Sequence, residues 1–349
     1  MKKVLFATTA LIATAGIAAA QDEGPGISLS GSAQIGIIGG DLVRTDRLTE
    51  LDDDDNEIFI EDPAGNADDV QFFTDIDVTF TLSGATEGGL VYGANIDLDE
   101  SDGDPSGAFD GTDQGGESIF VSGSLGTLTM GDTDGALDFA LQEAAIATTL
   151  GDVNTEHLGW NGNAGLDGNG TDGQVARYQY TFGDFGVAAS FEIDDRGTDA
   201  DGDFNGDNIY GVGGTYTGDF GGFTVGFGLG YQTQDDAHVL GVSADISAGG
   251  FRAILNYSDY SDFATDDVDG DGLNELDNHV GIAVGYEFNE FLVAANYGRF
   301  DTDDGDSDGY ALSVNYDLGG AELQLGYSDS EGVDGDSFDA YSFGISMAF

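Results

Sequence analysis

Carboxylates dominate the chemistry open to this chain. Of its 349 residues, 67 are Asp or Glu against 8 Lys or Arg, a formal net charge of -59. Two stretches have spacings that suit a hard cation. Asp267-Val-Asp269-Gly-Asp271-Gly272 matches the opening of a D-x-D-x-D-G loop, and Asp201, Asp203 and Asn205 repeat it more weakly. Alternate carboxylates converge on one ion there, and glycine permits the turn. Neither stretch has Glu at the twelfth position, where Asn278 and Val212 fall. Calcium bound by acidic loops therefore competes with a simpler reading, a solvated acidic loop, and no other cofactor is expected. The chain has no cysteine, which excludes a disulfide framework, thiol catalysis and cysteine-ligated metals. His157, His238 and His279 are its only histidines, so a three-His zinc site would need all of them. None lies in a G-x-S-x-G or H-E-x-x-H context, and no catalysis is expected. A chain this acidic is repelled by nucleic acid and by anionic headgroups.

The elements that would carry these side chains are strands. Phe223, Val225, Phe227, Leu229 and Tyr231 alternate with Thr224, Gly226, Gly228 and Gly230, and Tyr310, Leu312, Val314, Tyr316 and Leu318 repeat the pattern. Period two with one apolar and one polar face marks a strand with unlike sides. Sixteen such segments run from 27–38 to 338–349. Even-to-odd connections are tight and Gly-rich, as at Gly319-Gly320; odd-to-even ones run from seven residues to more than forty and hold most of the Asp. An even strand count, alternating loop lengths and an outward apolar face describe an all-β, 16-stranded antiparallel transmembrane up-and-down β-barrel. The polar parity (Gly, Ser, Thr, Asn, Asp) suits a water-filled lumen. Phe182, Phe185, Phe220, Phe223, Phe288 and Phe291 fall at the short-turn end, and Tyr231, Tyr257, Tyr297, Tyr310 and Tyr327 at the other, as interfacial girdles should.

Residues 1–20 read as a cleaved Sec signal peptide: Lys2-Lys3, an apolar run from Val4 to Ile17, and Ala18-Ala19-Ala20 before Gln21. Cleavage removes both lysines and leaves six arginines and a formal charge of -61. The remainder, 21–349, is one barrel domain. Its longest connection, 133–176, loses the period-two pattern from Ala136 to Leu150, where the composition favours a helix. An apolar segment inside a polar loop needs a packing surface, and the barrel wall supplies one. Loops of this length are commonly functional.

The signal peptide, sixteen strands and terminal Phe349 together resemble the Gram-negative general porins, most of all the alphaproteobacterial (Rhodobacter-type) trimeric porins. The most specific pieces are Ile27-Ser28-Leu29-Ser30-Gly31 and the run from Val121 to Asp132, VSGSLGTLTMGD. The resemblance implies an outer-membrane general diffusion porin of a Gram-negative bacterium, a passive channel for small hydrophilic solutes and ions. It also implies a homotrimer with contacts through the early strands, a third loop folded inward as the constriction, and Phe349 as the signal read by the outer-membrane assembly machinery.

Asp132, Asp134, Asp138 and Glu143 are the acids expected at the narrow point. In such porins an acidic third loop faces arginines on the wall. Parity here turns Arg177 and Arg252 inward, and Arg44 and Arg47 are within reach of the mouth. Asp75, Asp77, Asp97 and Glu192 share the inward parity and add negative charge, so the expected preference is for cations. Two alternatives compete with the channel: a secreted calcium-binding β-roll, which lacks its nonapeptide repeat here, and a plugged barrel serving as adhesin or anchor.

Overall fold

The computed structural model describes residues 25–40, 48–51, 57–60, 70–99, 113–152, 154–163, 165–166, 174–193, 208–266, 273–303, 305–333 and 335–349. The expected signal peptide, Arg44, Arg47 and the calcium-like Asp267, Asp269 and Asp271 lie outside the described residues.

Sixteen strands form the barrel: β1 (Gly26–Gly39), β2 (Gln71–Ala85), β3 (Val91–Asp99), β4 (Asp113–Gly123), β5 (Gly126–Asp132), β6 (Gln174–Phe182), β7 (Phe185–Glu192) and β8 (Ile209–Asp219), then β9 (Thr224–Gln234), β10 (Ala237–Ala248), β11 (Phe251–Ser261), β12 (Leu273–Phe288), β13 (Phe291–Thr302), β14 (Gly305–Asp317), β15 (Ala321–Glu331) and β16 (Ser337–Ala348). Each pairs antiparallel with its sequence neighbours, and β1 closes the ring by pairing with both β2 and β16. Closure leaves no edge, which lipid could not satisfy. The last residue completes the seam: the Phe349 N–H donates to the Gly31 carbonyl at 2.9 Å, and the Gly31 N–H donates back at 3.4 Å. Two short pieces stand apart, the hairpin of 48–51 with 57–60 and the strand Ala264–Asp266, which extends the β12 ladder.

The apolar parity faces outward. Phe227, Leu229, Leu240, Val242, Leu255, Ile282, Leu312, Leu325 and Phe343 are all exposed, the arrangement of a fold whose solvent on that side is hydrocarbon. Both aromatic rows fall where the sequence places them. At the short-turn end Phe182–Phe185, Phe220–Phe223 and Phe288–Phe291 stack across their hairpins with centroids 5.5–5.8 Å apart. The turns between them rely on left-handed backbone, at Gly183 (φ 60°) and at Asn289 (φ 54°).

The connections at the opposite end are shorter than the pattern of acids implies. β9 and β10 run on until only Asp235-Asp236 separate them, and β13 and β14 until only two residues remain. Strands tolerate acids where they rise clear of the bilayer, so composition marked these segments as loops although their backbone continues the ladder. The helix expected over Ala136–Leu150 is also curtailed. It survives as one turn, α1 (Ala136–Ala140). Past it the chain runs along the inner wall, because the wall offers partners for its backbone.

Candidate functional site

The third connection enters the barrel after β5 and travels round most of the inner wall before returning to β6. Its outgoing limb is pinned strand by strand. The Ala136 N–H donates to Ser190 Oγ on β7 (2.9 Å), and the Gln142 N–H to Ser243 Oγ on β10 (2.9 Å). Asn256 on β11 donates to the Gln142 carbonyl (2.9 Å), and Asn315 on β14 to that of Thr148 (3.1 Å). At the tip the Gly151 N–H meets Gln34 Oε1 on β1 (2.8 Å), and Leu150 packs with Ile38, Phe73 and Ala340. The return limb is held by Ser342 to Asn154 Oδ1 (2.5 Å), Asn296 to the Thr155 carbonyl (3.1 Å) and His279 to the Gly159 carbonyl (2.9 Å). It ends with the Leu166 N–H on Gln232 Oε1 (2.5 Å).

Glycines make this close approach possible. A Cβ on Gly213, Gly228 or Gly298 would overlap the backbone carbonyl of Ala136, Ala140 or Gly159. α1 itself packs beside β7, β8 and β9, and Leu137 and Leu141 join Ile209, Val239 and Tyr260 in an apolar cluster inside the barrel.

This arrangement corrects the reading of the polar parity. Along β7–β16 many of the inward Ser, Asn and Gln do not line open water. Ser190, Gln232, Ser243, Asn256, Asn315, Gln324 and Ser342 are buried, and they serve the loop. Inward side chains left partly exposed on β2–β6 include Asp75, Asp77, Asp97 and Arg177.

Asp97 accepts a hydrogen bond from Thr79 Oγ1 at 3.0 Å. Asp132 lies against Gly116, with Asp134 and Asp97 as its charged neighbours. Asp134 stands at the root of the loop, its side chain 70 % exposed, and Asp138 sits half-buried in α1. Glu192 has the predicted parity but is fully buried, against the expectation that it lines the lumen. The base of the loop covers that end of β7, and parity alone cannot report a cover.

Both described inward arginines are paired. Arg177 donates from Nη1 to the Asp134 carbonyl (2.7 Å), lies 3.8 Å from its carboxylate and stacks over the Phe139 ring. Arg252 bonds Asp245 on the adjacent strand through Nε (2.7 Å) and reaches Gln142 with Nη2 (3.5 Å). Arg299, outward by parity, pairs with Asp301 (2.7 Å) and Asp306 (2.5 Å).

Among the described residues of the loop, two acids stand outside the expected set, Asp152 and Glu156. They flank the turn at the loop's tip, where the Glu156 N–H donates to the Asp152 carbonyl at 2.8 Å. Their spacing within the same long connection was the available signal. Glu143 and Glu156 face lumen water, yet protein surrounds them closely. Burial within the barrel, followed by the charges of Asp134 and Asp152, raises the Glu143 carboxyl. The same cause, then Asp152 and Glu143, pushes Glu156 up to about 7. Asp152 is raised mainly by burial, with Asp75 on the wall adding to it and a backbone hydrogen bond opposing it. These mutual charges tie both limbs of the loop and the wall of β2 into one acidic constellation. Among the described residues, no group of three or more His, Asp or Glu is arranged to hold a metal ion.

A closed antiparallel barrel with an apolar exterior and a polar interior narrowed by an inward loop is a transmembrane channel. The sequence places it more closely. Residues 7–334 match the Gram-negative porin family, and the chain belongs to that family. It is 30 % identical to a porin of Rhodobacter capsulatus over 289 residues, covering 76 % of this chain and 90 % of that one. Among solved structures, a porin refined at 1.8 Å resolution superposes with a TM-score of 0.67 at 24 % identity, covering 93 % of this chain and all of that one. A mutant porin of Rhodopseudomonas blastica superposes over the same shares with a TM-score of 0.62 at 16 % identity. The protein is an outer-membrane general diffusion porin.

Proposed function

We propose that this porin passes small hydrophilic solutes with a preference for cations, and that residues 133–176 form its constriction. One observation carries the reading. Asp97, Asp132, Asp134, Glu143, Asp152, Glu156 and Asp75 are near enough to feel one another's charge, whereas Arg177 and Arg252 are each held in an ion pair. Rings of carboxylates in a low-dielectric frame concentrate cations and oppose anions. Planar-bilayer recording tests both halves: steady ohmic conductance marks a passive pore, and the reversal potential in a salt gradient reads its selectivity. Absence of conductance would favour the plugged barrel.

The homotrimer implied by the family resemblance is supported by the outer face of β1–β5. Ile27, Leu29, Ile35, Ile119, Val121 and Met130 form an exposed aliphatic surface there, and the stacked Phe pairs lie on other strands. Mass measurement on the unheated protein checks it: a trimer is expected, and a monomer speaks against that face as a contact.

A further inference from the structure

The return limb of the third loop crosses β11–β14 through a buried polar knot containing two of the chain's three histidines. His157 and His279 are each 2 % exposed. Their hydrogen bonds define their protons. The Gly159 N–H donates to His157 Nδ1 (3.1 Å), so the neutral ring carries its proton on Nε2, which is buried without a hydrogen-bond partner. His279 donates from Nε2 to the Gly159 carbonyl (2.9 Å) and accepts from the Asn161 amide at Nδ1 (3.3 Å). Both rings therefore spend Nδ1 as an acceptor from an N–H and contact the same residue, Gly159. A second proton on either ring would set N–H against N–H. The rings border a small cavity with Trp160, Asn161 and Asn256, and no acid among the described residues lines it.

We propose that His157 and His279 form an acid-operated latch: protonating the pair releases residues 157–163 from β11–β14 and alters the lumen. Among the described residues, charged and titratable groups on the packed elements offer no compensation. Glu156 precedes His157 but faces the lumen, and Asp277 lies exposed at the β12 bulge. Asp259 on β11, Tyr297 and Arg299 on β13, Asp308 on β14 and Asp329 on β15 have outward parity, across the sheet from the imidazoles. The Tyr260 phenol, bonded to Asn161 at 3.0 Å, stays neutral throughout the acid range. An imidazolium formed here is thus a buried charge without a counter-ion, which is strongly disfavoured. Burial first, and then the second histidine, pushes His157 down to about 4 from its ordinary 6.5. The released loop therefore binds more protons than the latched one between those values, and the latch weakens as pH falls through that window.

Trp160, the only tryptophan of the chain, lines the cavity and reports on the latch directly. Its emission is followed in the full-length protein from pH 7.5 to 3.5. A reversible red shift with its midpoint between pH 6.5 and 4 is expected, lost in His157→Gln with His279→Gln and retained in Glu156→Gln. A wild-type spectrum that stays fixed to pH 3.5 overturns the latch whether or not the variants fold. So does a transition that survives in the double variant or disappears in Glu156→Gln. The effect on the lumen rests on the channel reading, and single-channel conductance should change over the same pH window. Fluorescence needs no conduction, so failure of the latch and failure of the channel reading are separable.

Discussion

Glu156 is a lumen side chain whose charge changes near neutral pH. Its carboxyl is pushed up to about 7, so it is largely neutral at pH 5.5 and ionised at pH 8.5. Glu143 and Asp152, also raised, titrate in the same direction. The cation-to-anion permeability ratio should therefore rise between pH 5.5 and 8.5, and Glu156→Gln should flatten that rise. Reversal potentials at the two pH values check this, and equal ratios in the unaltered protein would contradict it. The paired arginines allow a second comparison. Arg252 and Asp245 are nearly buried, so Arg252→Met leaves an uncompensated carboxylate and should cost about 3 kcal/mol. Arg299, 40 % exposed, should lose at most about 1 kcal/mol on the same change. Urea unfolding of the two variants measures the contrast. Period-two parity was enough to place Arg177, Arg252, Asp75, Asp77 and Asp97 on the inner face. It failed for the surroundings of Glu192, because parity gives the side of a sheet and not what lies over it.

Among the elements, the third loop is where local pattern and tertiary contact diverge most. Its length and loss of alternation were visible, and so was a helical start, since Ala136, Leu137, Ala140 and Leu141 place small and apolar groups on one buried face. The rest of the expected helix was lost to contacts distant in sequence. Ser243, Asn256 and Asn315 bond the loop's main chain at Gln142 and Thr148, and those bonds compete with a second helical turn. Nothing local in the strands distinguishes such side chains from a wetted lining. The glycines facing the loop carry a prediction of their own. Gly228→Val would drive a side chain into the Ala140 carbonyl and should move α1 off the wall into the lumen. The barrel's pairing should survive. Single-channel conductance is expected to fall while the far-UV β signature stays unchanged; unaltered conductance would mean that α1 is not seated as described.

Over the molecule as a whole, the fold was legible because the bilayer imposes one rule on every strand. Each needs an apolar side and each needs both neighbours, so sixteen repeats of a weak signal reinforce one another. Electrostatics followed less completely, since the net charge does not say which carboxylates face the lumen and which crown the outer rim. Asp301, Asp306, Asp308 and Asp329 lie on the outward parity around Arg299 and the Tyr row, whereas Asp75, Asp97, Glu143, Asp152 and Glu156 are the acids proposed to govern passage. Selectivity built on water-exposed carboxylates should weaken with salt, because the screening length falls from about 10 Å at 0.1 M to about 3 Å at 1 M. The cation-to-anion ratio at the higher salt should be the smaller. The most direct measurement is the reversal potential of the reconstituted full-length protein in a dilute KCl gradient at pH 7.5. A potential of the sign set by potassium moving down its gradient is the predicted result; one near zero, or of the sign set by chloride, would contradict an acidic constriction.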